Sequence, residues 1–204
     1  MHVTVGKRSV RAGEGIISQK DMSITLFLFM GFHTLMPDKF GIVGTRKQFE
    51  AFVHLWRMIG FMLGTEDRFN CCAETLEETL RRLESIKEDI LKPGLQFAPP
   101  EFWSYTRTAV AGLWHSDPTL HYESMMWIVH RAIEVPGYYI FESESTGDKR
   151  NVENLTLYTK FRIFLDVLVY EYLSHILVFR WIFNIYRILM GFLDYYPILA
   201  LMSY

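Results

Sequence analysis

Cysteine is nearly absent from this chain of 204 residues: there are two, and they are neighbours, Cys71 and Cys72. A bridge between adjacent cysteines is strained, and no cysteine or histidine spacing suits a structural zinc. Neither a disulfide framework nor a zinc module is therefore expected, and a reducing compartment, or a membrane site facing one, suits this usage. Charge of one sign is scarce as well. The formal net charge is −2, so the basic footprint that nucleic acid requires is missing and no nucleic-acid partner is expected. The sequence has no glycine-rich phosphate loop, no Gly-x-Ser-x-Gly elbow and no paired Cys-His arrangement. The turn Thr65-Glu66-Asp67-Arg68 lacks the alternating oxygen ligands of a calcium loop. Period-two alternation never extends beyond a few residues, and there is no repeat or low-complexity tract. At the start, Lys7, Arg8 and Arg11 lead into Gly13-Glu14-Gly15 rather than an apolar core, so no signal peptide is expected.

What the chain has is apolar and aromatic mass, 50% and 16% of its residues, punctuated like a helical protein. Ser18 with Asp21 and Thr45 with Gln48 have the spacing of capping boxes, and Thr75 with Glu78 repeats it. Pro37, Pro93-Gly94 and Pro136-Gly137 read as stops, and Gly64 as the residue just past a helix end. Leu76, Leu80, Leu83, Ile86 and Ile90 recur at three and four residues, with Glu77, Arg81, Glu84, Lys87 and Glu88 expected in solvent. Pro99-Pro100 pre-sets another helix, and Tyr122 to Val135 a further one. The expected fold is all-α: a single helical domain of about seven helices with a hydrophobic C-terminal helix pair. Its parts are a helical body over residues 1–142, a solvated linker over 143–151 and apolar helices over 152–204.

That last segment is too interrupted for a clean membrane span. Spanning takes about 20 predominantly apolar residues, and a central charge costs roughly 2.5–3.5 kcal/mol on insertion scales. Arg162, Asp166, Glu171, Arg180, Arg187 and Asp194 all fall within it. Two helices separated near Arg180 are expected, lying at a membrane surface or shallowly inserted. A buried helix pair whose charges meet across a core is the alternative.

Seven histidines are present, but no His-x-x-x-His or His-Glu-x-x-His pair. His54, His115, His130 and His175 have apolar helical neighbours and read as structural. His115 and His121 flank a turn at Asp117-Pro118, and His33 reads as a packing or capping group. Trp56 reads as core, and Arg57 as the partner of Glu50 or Asp67.

Two blocks carry a more specific signal: SQKDMSITLFLFMGF from Ser18 to Phe32, and QFEAFVHLWRMIGFMLGTEDRFN from Gln48 to Asn70. Together they resemble the catalytic domain of the rubber oxygenase (latex-clearing protein) and ER-bound oxygenase family, most closely its animal members. The resemblance covers most of the chain but begins midway through the family domain, so the domain's N-terminal helices, with the distal haem face, are expected to be missing. It implies haem b held by a histidine shortly before the first block, a position that only His2 can fill, in a His-x-x-Val pattern. It further implies an oxidoreductase, an oxygenase using haem iron on a hydrophobic, lipid or isoprenoid-like small molecule. The location implied is membrane-associated, at the endoplasmic reticulum, with the cytoplasm as the other possibility. His2 should then face an apolar cavity lined by residues 25–32 and 52–56. The alternative is a non-catalytic, membrane-associated helical protein that keeps only the C-terminal half of the oxygenase fold.

Overall fold

The computed structural model describes residues 17–113, 117–135 and 155–195, with side chains up to residue 192. His2, His115, Pro136-Gly137, the linker at 143–151 and residues 196–204 lie outside the described residues. Among the described residues every regular element is helical, in seven continuous runs that contain α-helix, together with two isolated 3-10 turns, Pro37–Phe40 and Asp67–Phe69. The all-α fold therefore holds. Contacts divide the described chain into two compact units, one built on residues up to Phe40 and Gly44–Ile90, the other on Gly41–Val43 and the residues from Leu91 onward.

In the first unit, the capping residues open their helices as the sequence predicts. Helix α1, Gln19–Leu26, starts from Ser18, whose amide and hydroxyl both donate to Asp21 Oδ2 at 2.8 Å. A wider π turn, Phe27–Gly31, carries it into α2, Phe32–Leu35. That turn folds the Phe27 ring over Gly31, where a Cβ would stand 2.7 Å from the ring, so glycine is required. Phe27, Met30 and Leu26 are buried there, as are Val53 and Leu83. Helix α3, Arg46–Met62, opens at Thr45, whose amide donates to Gln48 Oε1 at 2.7 Å. It closes in a Schellman turn at Gly64, φ +91°, with the Thr65 amide bonded back to the Gly60 carbonyl at 2.9 Å.

Helix α4, Leu76–Ile86, starts from Thr75. Pro93-Gly94 does not stop the helical backbone after it. A π turn, Lys87–Leu91, leads into α5, Lys92–Gln96. The widened turn lies where the proline ring would otherwise meet the carbonyl four residues back. It also turns Lys87 inward. This lysine, expected in solvent, is 7% exposed and bonded to Glu84 and Glu88 at 2.7 and 3.2 Å.

The second unit contains α6, Pro100–Ala111, α7, Tyr122–Ile133, α8, Leu157–Val167, and α9, Leu177–Tyr195. Ala132, Ile133, Trp127 and Ile163 form its core. Helix α7 ends at Glu134, held at φ +61° in the left-handed region. The tail breaks at a 3-10 turn, Leu173–His175, after a π turn, Leu168–Tyr172, and not near Arg180. Ser174 is buried at that turn and donates to the Tyr170 carbonyl at 2.6 Å. Arg180 instead lies within a continuous helix, where its long side chain is a good helix former.

Candidate functional site

The two blocks that carry the family resemblance meet in the first unit. Gln19, from the first, reaches the turn that ends the second. Its Nε2 donates to the Gly64 carbonyl at 3.1 Å, and its Oε1 accepts from the Glu66 amide at 2.9 Å. One side chain thus satisfies both polar groups of a turn that α3 leaves open. Arg57, half-buried on α3, forks onto Asp67 with Nη2 at 3.0 and 3.2 Å and contacts Glu74 at 3.4 Å. Of the two partners expected for Arg57, the structure selects Asp67.

Asn70 ties the end of the second block to its middle. Only 1% exposed, it donates from Nδ2 to the Arg57 carbonyl at 3.1 Å and accepts the Cys72 amide on Oδ1 at 3.0 Å. Arg82 donates to its carbonyl at 2.7 Å. Gly60 faces this asparagine so closely that a Cβ would stand 2.8 Å from its Nδ2 and 2.9 Å from Leu26 Cδ1. The glycine in the Ile-Gly step of the block is therefore a contact requirement. Cys71 and Cys72 are buried beside this knot. The two thiols share a hydrogen bond, which together with burial pushes Cys72 up and keeps it a neutral thiol.

The aromatic residues of the two blocks also adjoin. Phe29 stacks on Trp56 with centroids 5.7 Å apart, and Phe52 meets Trp56 edge-on at 6.2 Å. Trp56 is half-buried rather than core, and Phe29 is 60% exposed. On the same helix as Trp56, Leu55, Met58, Phe61 and Met62 are exposed, so an apolar surface continues along α3. His33 follows the π turn. Its Nδ1 faces the Phe29 carbonyl at 3.2 Å, and burial lowers its pKa against the opposing effect of that carbonyl. It is a neutral imidazole at physiological pH.

A cleft of about 260 Å³ opens between α3 and the start of α4. Its polar walls are Arg46, Glu50, His54, Arg57, Glu74 and Glu77. Arg46 pairs with Glu50 and Glu77 there. His54, expected among apolar neighbours, is exposed on this cleft. Such ion-paired walls do not fit the apolar face of a porphyrin. Among the described residues no three His, Cys, Asp or Glu side chains gather to hold a metal ion. Haem assignment therefore rests on His2, outside the described residues.

In the second unit, Arg162, Asp166, Glu171 and Arg187 of the apolar tail find partners. Asp117 accepts from the Thr119 hydroxyl and amide at 2.6 and 3.1 Å, and from Arg187 Nη1. Tyr186 bonds Thr119 at 3.1 Å and donates to Asp117 at 3.4 Å. Burial pushes the Asp117 carboxyl up, but Thr119 and Arg187 outweigh it and hold it below the ordinary range. Arg131 forks onto Glu171 at 2.6 and 3.1 Å, and Arg162 donates to the Thr119 carbonyl at 2.7 Å. His130 is fully buried, with Nδ1 at 2.6 Å from the Met126 carbonyl and its ring stacked on Trp103 at 5.6 Å. Burial lowers its pKa more than that carbonyl raises it. It is the structural histidine the sequence suggests, whereas His175 is exposed in the 3-10 turn.

Spacing does not single out Asp117 and Asn70 as site residues, because Asp117 meets Tyr186 and Arg187 some 70 residues away and Asn70 acts on backbone groups. No family model, curated protein or solved structure matches this chain.

Proposed function

We propose that this chain belongs to a haem-dependent, oxygenase-like domain that acts on a hydrophobic, lipid or isoprenoid-like small molecule at a membrane surface. The observation that carries the reading is the clasp of Gln19 on Gly64 and Glu66. It joins the two blocks of the family resemblance into one structural unit, as expected if they belong to one domain. Haem b would supply dioxygen activation. His2 is the residue proposed to hold it, and the exposed Phe29–Trp56 stack offers an apolar wall for a flat cofactor or a hydrocarbon chain. Arg57, Asp67 and Asn70 hold the wall's helix in register.

The test is the haem b content of the purified full-length protein, read as its pyridine haemochrome. Near-stoichiometric haem b is expected. Protein that neither copurifies with haem nor takes it up on titration would overturn the oxygenase reading. One observation favours a second reading, a non-catalytic membrane-associated helical protein. Helix α9 presents an apolar face that nothing among the described residues covers, with Leu177 69% and Trp181 68% exposed. Among the described residues no helix is long and apolar enough to cross a membrane.

A further inference from the structure

Helix α9 has three sides. Placing its residues at about 100° each, Tyr186, Met190 and Phe183 form an inner side, all half-buried. Phe183 meets Tyr170 at 6.1 Å, and Tyr186 reaches Asp117 and Thr119. Arg180, Asn184 and Arg187 form a second side, and Arg187 is bound to Asp117. The third side is exposed and wholly apolar. One row is Leu177, Trp181, Ile185, Ile188 and Phe192, and Val178, Ile182 and Leu189 widen it on one side to an arc of about 140°. The row runs for about 22 Å along the helix.

We infer that this outer arc of α9 lies in the plane of an anionic lipid surface and seats the protein on one leaflet. Three features favour lipid over a protein partner. Apart from the Trp181 indole N–H, the arc offers no hydrogen-bonding side chain, whereas protein interfaces carry roughly one hydrogen bond per 100–200 Å². Hydrocarbon asks for none. The arc is also wider than the narrow seam through which two helices mesh. Finally, Arg180 lies on one flank of the arc, where a headgroup phosphate would meet a helix lying flat; Arg187 on the same flank is paired with Asp117, and Asp194 belongs to the same helix. The inner side is pinned through Asp117, Thr119 and Tyr170, so the helix presents the arc without leaving its unit. This inference deepens the membrane part of the reading above and is independent of haem.

The experiment is co-sedimentation of the full chain with vesicles of phosphatidylcholine alone or with about 30% phosphatidylserine. Wild type should bind the mixed vesicles more tightly. The double variant I185E/L189E, and separately W181S, should weaken binding by roughly tenfold or more for the double charge, with circular dichroism and melting unchanged. R180E should abolish the preference for phosphatidylserine. Binding unchanged in I185E/L189E and in W181S would overturn the assignment. So would a wild-type dimer in sedimentation velocity that the same variants dissociate while vesicle binding stays absent, since the occupant would then be a second copy. Haem content can fail while vesicle binding holds, and the reverse, so the two failures are distinguishable.

Discussion

Asn70 is the residue on which the second block turns, because its side chain satisfies a carbonyl in the middle of α3 and an amide beyond its end. Replacing it with alanine leaves the buried Cys72 amide without its acceptor, at about 1–3 kcal/mol where no water reaches it, and removes the second bond to the Arg57 carbonyl, which keeps its helical one. We expect N70A to lose about 2–3 kcal/mol in denaturant unfolding. Glu134 is the opposite case. It holds a left-handed conformation that costs a non-glycine residue about 1 kcal/mol, so E134G should raise stability by up to about 1 kcal/mol. His130 adds a pH dependence. Its folded pKa lies below its unfolded value because burial opposes the charged ring. The unfolded chain therefore takes up the proton first, and stability should be level above about pH 7 and fall as pH drops below about 6.5. In H130F the slope of melting temperature against pH in that window should be shallower. Sequence suggested a structural histidine here, but not Asn70, because nothing in a lone asparagine after an aromatic residue announces which distant backbone groups it will meet.

At the scale of elements, capping chemistry was legible and helix interruptions were not. Ser18-Asp21 and Thr45-Gln48 act within four residues, so the bonds they form are written in the spacing. Pro93 and Arg180 were misleading for different reasons. A proline stop presumes an ordinary α-turn before it, and the π turn at Lys87–Leu91 removes that premise. The tail breaks where Ser174 can be buried against the Tyr170 carbonyl, not where a charge interrupts the apolar run. Arg162, Asp166, Glu171 and Arg187 instead pair. Asp117 ties the loop before α7 to α9, and D117A should cost about 1–3 kcal/mol, since the charge-assisted bonds from Arg187 and Thr119 go together. Limited proteolysis should then cut within α9 before α7. A D117A protein as stable as wild type would show that the Arg187 pair contributes nothing.

For the whole molecule, the all-α class followed from punctuation alone, while the division into two units did not, because it depends on contacts between residues far apart in sequence. The candidate site was legible in the same uneven way. Spacing drew attention to the Trp56-Arg57 step and the Gly64 turn; the structure bonds Arg57 to Asp67 and Gln19 to the turn at Gly64. The clasp itself joins positions 45 and 47 residues apart, a separation at which no local pattern operates. The proposed iron ligand, His2, came only through the resemblance. The most direct measurement is therefore the absorption spectrum of the haemin-titrated full chain, compared between wild type, H2A and H33A. The account predicts a saturable Soret band in wild type and H33A that is lost in H2A, with far-ultraviolet circular dichroism unchanged. A Soret band that survives H2A, or none in the wild-type chain, would contradict it.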